Sequence, residues 1–226
     1  MSENTWSRRS IVASLGSAAA VFGLAARPAE VQAGGTFRPA RHAKDAWLDT
    51  VPGKHRSFID AATATGAGEG LLYANNLYVS NRTGYDLATA DVAVVVCLRH
   101  FATVFAFGDT VWAKYGKAIG NLIQFTDPNT KQPPSANVYN SADYGMALTN
   151  FGNTIESVAK RGTQFAVCNM ATTFLADEVA KSVGSSKDAV YKDFVGNLIP
   201  NSHLVESGVL AVNRAQEYGY TLLTAL

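Results

Sequence analysis

The stretch ADVAVVVCL, residues 90–98, is apolar at every position from Val92 to Leu98 and β-branched at four of them. It is too short for a globular helix and lacks the alternation of a half-exposed strand. A strand covered on both faces requires such a run, and that is the environment of a parallel sheet. Working outward, HRSFIDA (55–61), TQFAVC (163–168), SHLVES (202–207) and TLLTA (221–225) read as further short strands. Helical patterns lie between them. Leu71, Leu72, Asn75, Leu77, Tyr78 and Val79 form a stripe at helical spacing. FATVFAFGDTVWAKYG (101–116) also reads as helix, with Trp112 and Tyr115 at i, i+3 as core or subunit-interface residues. The start of GNLIQF reads as an edge strand, and Asp127 to Tyr144, rich in Pro, Asn and Ser, as a long loop. MALTNFGNTIESVAKRG gives a helix ending on Gly162. The segment after Cys168 gives one or two helices interrupted near Gly184, and GVLAVNRAQEYGY a last helix with Ser207 as N-cap. This alternation predicts an α/β fold: a three-layer α/β/α sandwich around a mainly parallel sheet of about five strands. Neither internal repeats nor coiled-coil heptads are present.

The N-terminus predicts export. Arg8-Arg9 is followed by an Ala/Gly/Ser-rich apolar stretch from Ile11 to Ala26, shorter and less apolar than the ~20 residues of a membrane span. A basic head, an apolar middle and a small-residue exit describe a secretory signal. SRRSIV resembles the twin-arginine signal, with Arg27-Pro28 behind the apolar run and Val31-Gln32-Ala33 as the cleavage site. The expected organisation is a signal peptide over 1–33, an extended arm over 34–54 and one domain over 55–226. The expected location is the periplasm, reached through the twin-arginine export machinery, with no stable membrane span after cleavage.

Removing residues 1–33 takes Arg8, Arg9 and Arg27 from 19 basic residues and Glu3 and Glu30 from 18 acidic ones, leaving 16 of each. A balanced chain has no electrostatic footprint for nucleic acid or anionic lipid. Two cysteines, Cys97 and Cys168, are too few for a disulfide scaffold. His42, His55, His100 and His203 have no metal-ligand spacing, so no metal is expected. No cofactor is expected either. Gly66-Ala67-Gly68-Glu69-Gly70 is G-x-G-x-G rather than G-x-G-x-x-G, and the next strand ends on Cys97-Leu98-Arg99 without the acidic ribose ligand. It reads instead as a flexible loop, with Gly66 and Gly68 as candidates for cupping a small anion. Ser207-Gly208 lacks the G-x-S-x-G frame of a hydrolase elbow.

Three separated segments, VVVCLRHFATVFAFGDTVWAKYG, RGTQFAVCNMA and LIPNSHLVESGVLAVNRAQEYGYTLL, together resemble the DsrE/DsrF-like superfamily over roughly residues 55 to 226. In the closing segment the resemblance rests on a Leu-hydrophobic-Pro turn, a strand ending in Ser207-Gly208-Val209, and Gln216 before Gly219-Tyr220. The resemblance implies an oligomeric sulfur-transfer protein that carries persulfide on a cysteine after a late strand; only Cys168 falls on that position. The chain departs from the better-known members in its export signal, its 126–145 insertion and its longer helical segment after Cys168.

A sulfur acceptor must present a thiolate, which a helix N-terminus favours by aiming backbone N–H groups at the sulfur. Asn169 to Thr173 can begin such a helix, and open parallel sheets place ligands at the carboxyl ends of their strands. Three readings of Cys168 stay open: a reactive thiol, a buried core residue, and one half of a bridge with Cys97. Arg99 and His100, following the strand that contains Cys97, are candidates for binding an anionic sulfur species or tuning a thiolate, with Asn169 beside them. His100 also reads simply as a satisfied strand-end histidine. The function expected is reduced-sulfur or persulfide handling through one cysteine. The alternative is a non-catalytic oligomer that binds a small ligand and keeps the fold without the chemistry.

Overall fold

The computed structural model describes residues 38–226; the export signal expected over 1–33 lies outside the described residues. Five strands, β1 (His55–Ala61), β2 (Val92–Leu98), β3 (Gln164–Cys168), β4 (Ser202–Val205) and β5 (Thr221–Ala225), form one sheet in the order β4-β3-β2-β1-β5. Every pairing is parallel. All seven residues of β2 are buried, as the β-branched run requires of a central strand.

Alternation along the strands divides the core in two. Ile59, Val94, Val96, Leu98, Phe165 and Val167 face one layer of helices. That layer holds α1 (Ala64–Tyr85), α2 (Asp109–Ile123), the short α3 (Ile155–Ala159), α4 (Asn169–Val183) and α5 (Lys187–Gly196). Phe58, Ala93, Val95, Cys97 and Ala166 face the other layer, where α6 (Gly208–Glu217) packs through Ala211 and Ala215. The three-layer α/β/α architecture expected from the alternation is therefore present, with an all-parallel sheet.

Several local expectations are corrected. Gly66 and Gly68 do not sit in a loop: Thr63 caps α1 by accepting from the Gly66 N–H at 2.8 Å, and the helix runs on through both glycines. They are there for close packing. A Cβ at Gly66 would lie 2.6 Å from the Ala225 carbonyl oxygen, and one at Gly68 would collide with Thr149 and Tyr139. Residues 101–116 are not one helix, because a 3-10 segment (His100–Ala106) precedes α2, which starts after Gly108. α2 then continues to Ile123 where an edge strand was expected. The helix expected over MALTNFGNTIESVAKRG shrinks to α3, capped by Thr154. Gly162 has φ +105°, the left-handed conformation that favours glycine.

The arm expected over 34–54 is not a tether in its second half. A helical turn at Trp47–Thr50 buries Leu48, Val51 joins the α6-side core, and Trp47 stacks on His203 with centroids 4.0 Å apart. Arg56 ties this segment down by donating to the Val51 carbonyl at 3.0 Å and the Tyr218 carbonyl at 3.2 Å. A chain read as polar punctuation packs because its two apolar residues and its indole find partners far away in sequence.

Candidate functional site

The connections out of β1, β2 and β3 lead to helices on one face of the sheet, whereas β4 leads to α6 on the other. β3 and β4 are neighbours whose chains depart in opposite directions. That arrangement opens a crevice beyond the carboxyl ends of the strands, the usual ligand position in open α/β sheets. A cavity of about 380 Å³ lies there. Arg99, His100 and Phe101 line it from the end of β2, Cys168, Met170, Ala171, Phe174 and Leu175 from the end of β3 and α4, and Ser207, Gly208 and Val209 from the start of α6.

Cys168 ends β3 and is the N-cap of α4, and its Sγ accepts from the Ala171 N–H at 3.4 Å. Its carbonyl accepts from the Thr172 hydroxyl at 2.9 Å, which fixes the entry into the helix. The side chain is 6% exposed, so the sulfur forms part of the cavity wall rather than a surface projection.

Arg99 is not a free cation. Its Nε donates to Asp60 Oδ1 at 2.6 Å and its Nη2 to Asp60 Oδ2 at 2.9 Å, a two-pronged pair whose hydrogen bonds hold the guanidinium charged. Asp60 stands beside Cys97 in the register of β1 and β2. The sequence reading missed Asp60; the signal that could have found it is an aspartate in the strand run FIDA, which needs a cation partner once buried. The stem of Arg99 packs against Gly208, where a Cβ would collide with it, so glycine lets the start of α6 close over the ion pair. His100 is exposed and holds a left-handed φ of +51°, a conformation that costs a non-glycine residue of order 1 kcal/mol or more. Its ring lies 4.3 Å from that of Phe101.

The structure thus brings together Cys168, Arg99 and His100. It does not bring Gly66, Gly68 or Asn169 to the cavity: the glycines are helical packing positions, and Asn169 accepts from the Tyr191 hydroxyl at 2.8 Å. Cys97 and Cys168 are both free thiols, so the bridge between them is absent. The reason is register. Cys97 pairs with Ala166, which puts Cys168 two residues further along the neighbouring strand. Strand spacing and rise then separate their Cα atoms by about 8 Å, beyond the range a disulfide spans. Cys97 is fully buried; burial first, then the neighbouring Asp60 carboxylate, pushes its thiol well up from its ordinary value, against a smaller opposing effect of Arg99.

Sequence reasoning missed the apolar walls: Phe101, Met170, Phe174, Leu175 and Val209. Each follows a strand end by a few residues, but their convergence depends on β3 and β4 being neighbours with opposite exits, which a single sequence does not display. Met170, Phe174 and Val209 are exposed at the rim. Among the described residues no group of three metal-ligating side chains forms, and no helix is long and apolar enough to cross a membrane.

Fold and site together define an open, parallel α/β protein with a cysteine in the wall of a strand-end crevice. No family model matches the chain, and no curated protein matches it in sequence.

Proposed function

We propose that the protein accepts and hands on sulfane sulfur through Cys168. The observation that carries this reading is the position of the thiol: an N-cap whose sulfur receives a helix N–H in the wall of a cavity large enough for a small molecule. In the step proposed, the Cys168 thiolate attacks the outer sulfur of a donor persulfide. A new S–S bond forms on Cys168, the donor S–S bond breaks, and the donor leaves as a thiolate carrying the electron pair. No oxidant is consumed. The three segments resembling the DsrE/DsrF-like superfamily support the same chemistry. The export signal expected at Arg8-Arg9 would put it in the periplasm.

Self-association is part of the proposal. β5 is an edge strand with Leu222 and Leu223 exposed, one on each face. Residues Thr221 to Leu226 carry no charged side chain, so a second copy pairing across a two-fold axis would meet no like charge.

The test is persulfide loading. Incubation with an alkyl persulfide should add one sulfur atom to Cys168 by peptide mass spectrometry, and Cys168→Ser should abolish it while Cys97→Ser does not. The apolar cavity walls favour a second reading, in which the protein only binds a small ligand. That reading predicts binding that persists after Cys168→Ser, with no sulfur transferred.

A further inference from the structure

The polar residues named from the sequence point to an anionic sulfur species, but the cavity is built otherwise. Its one guanidinium is already held by Asp60 through two short hydrogen bonds, so the charge facing the crevice is largely cancelled. Lys44, in the neighbouring depression that shares Ser207, is paired with Glu206. The Ser207 hydroxyl is occupied as the α6 cap, accepting from the Leu210 N–H at 3.3 Å. What remains toward the opening is the His100 imidazole and a larger apolar surface: Phe101, Met170, Ala171, Phe174, Leu175 and Val209. Phe174 is 53% exposed and Met170 69% exposed, and a hydrophobic side chain left in water at the mouth of a cavity gains free energy when an apolar body covers it.

We infer that the sulfur donor has an uncharged, apolar body: an alkyl or aryl persulfide, R–S–SH, with R lying against Phe174 and Met170 and its outer sulfur at Cys168. Thiosulfate and persulfides with strongly anionic bodies are disfavoured because the one guanidinium at the site is already paired with Asp60 and the wall, His100 apart, is mostly apolar and would strip their water. The inference rests on Cys168 being the sulfur acceptor.

Methanethiosulfonate reagents test it, because they share one reaction and differ in the body they carry. The Cys168 thiolate attacks the sulfur bonded to R, a Cys168–S–S–R disulfide forms, and methanesulfinate leaves with the electron pair. Benzyl, sulfonatoethyl and trimethylammonioethyl reagents are compared on folded Cys97→Ser protein, each rate divided by that of the same reagent with free cysteine. The inference predicts that the normalised benzyl rate exceeds both others by about tenfold, the gain from covering part of an aromatic ring. Phe174→Glu should remove that preference and Phe174→Leu should retain most of it, which separates a role in binding from a general disturbance. Equal normalised rates, or a faster sulfonatoethyl reaction, would overturn the apolar donor and leave sulfur acceptance by Cys168 standing. Absence of labelling by all three reagents until the protein is unfolded would overturn sulfur acceptance itself.

Discussion

At the scale of single residues, the sequence places both cysteines at or near the end of an apolar strand, and only Cys168 directly before a possible helix start. Their roles separate because β2 runs one residue past Cys97, to Leu98, before the chain turns, while β3 stops on Cys168 and hands over to a helix. Cys97 is therefore walled in and Cys168 borders a cavity. The buried thiol has a consequence for stability. Its proton is retained in the fold at a pH where the unfolded chain, near the ordinary value of 9.0, has begun to lose it. The stabilising effect is fully present below pH 9 and is lost as pH rises above it, with a slope approaching ~1.4 kcal/mol per pH unit for one proton. Denaturant titrations between pH 8 and 10 should show this decline, and Cys97→Ala should flatten it. Above that window tyrosines add to the loss, since burial pushes Tyr139 and Tyr220 up to about 12. An unchanged slope in Cys97→Ala would contradict the burial account.

At the scale of elements, the central β2 was legible as a buried β-branched run, and β1, β3 and β5, read as short strands between helical patterns, fall where the sequence puts them. The helices α4 and α5 are likewise separated at Gly184, with φ +67°. The region from 101 to 162 was poorly legible because its order comes from tertiary hydrogen bonds rather than from periodicity. Asn137 donates to the Phe105 and Phe107 carbonyls at 2.9 and 3.0 Å and so ties the long loop to the 3-10 segment. Asn137→Ala leaves those buried acceptors unpaired and should cost about 2 kcal/mol or more in equilibrium unfolding. Glycines inside helices give a paired test. A Cβ at Gly116 in α2 would strike the Pro134 carbonyl, whereas at Gly84 in α1 nothing lies within 4 Å. Gly116→Ala should therefore destabilise by about 2 kcal/mol, through overpacking. Gly84→Ala should stabilise by about 0.5 kcal/mol, from helix propensity alone.

At the scale of the whole molecule, the fold class followed from alternation, but the site did not. Its position is set by strand order and by the departure of α6 to the opposite face, and neither is encoded in any one segment. The same strand order leaves β5 exposed at an edge. If a second copy covers it, sedimentation should show a dimer at micromolar concentration, and Leu223→Lys, which would bring like charges together at a two-fold contact, should shift it to monomer without unfolding it. A monomer throughout would refute that pairing. The central claim, that the strand-end crevice presents a usable thiol, is tested most directly by alkylation of the folded protein. Cys97→Ser and Cys168→Ser variants are treated with iodoacetamide under native conditions and in denaturant, and the labelled peptides are quantified by mass spectrometry. The account predicts that Cys168 is alkylated in the folded protein at a rate within about a hundredfold of its rate in denaturant, with Cys97 protected until unfolding. Equal protection of both cysteines would mean that Cys168 is core packing and that the crevice performs no thiol chemistry.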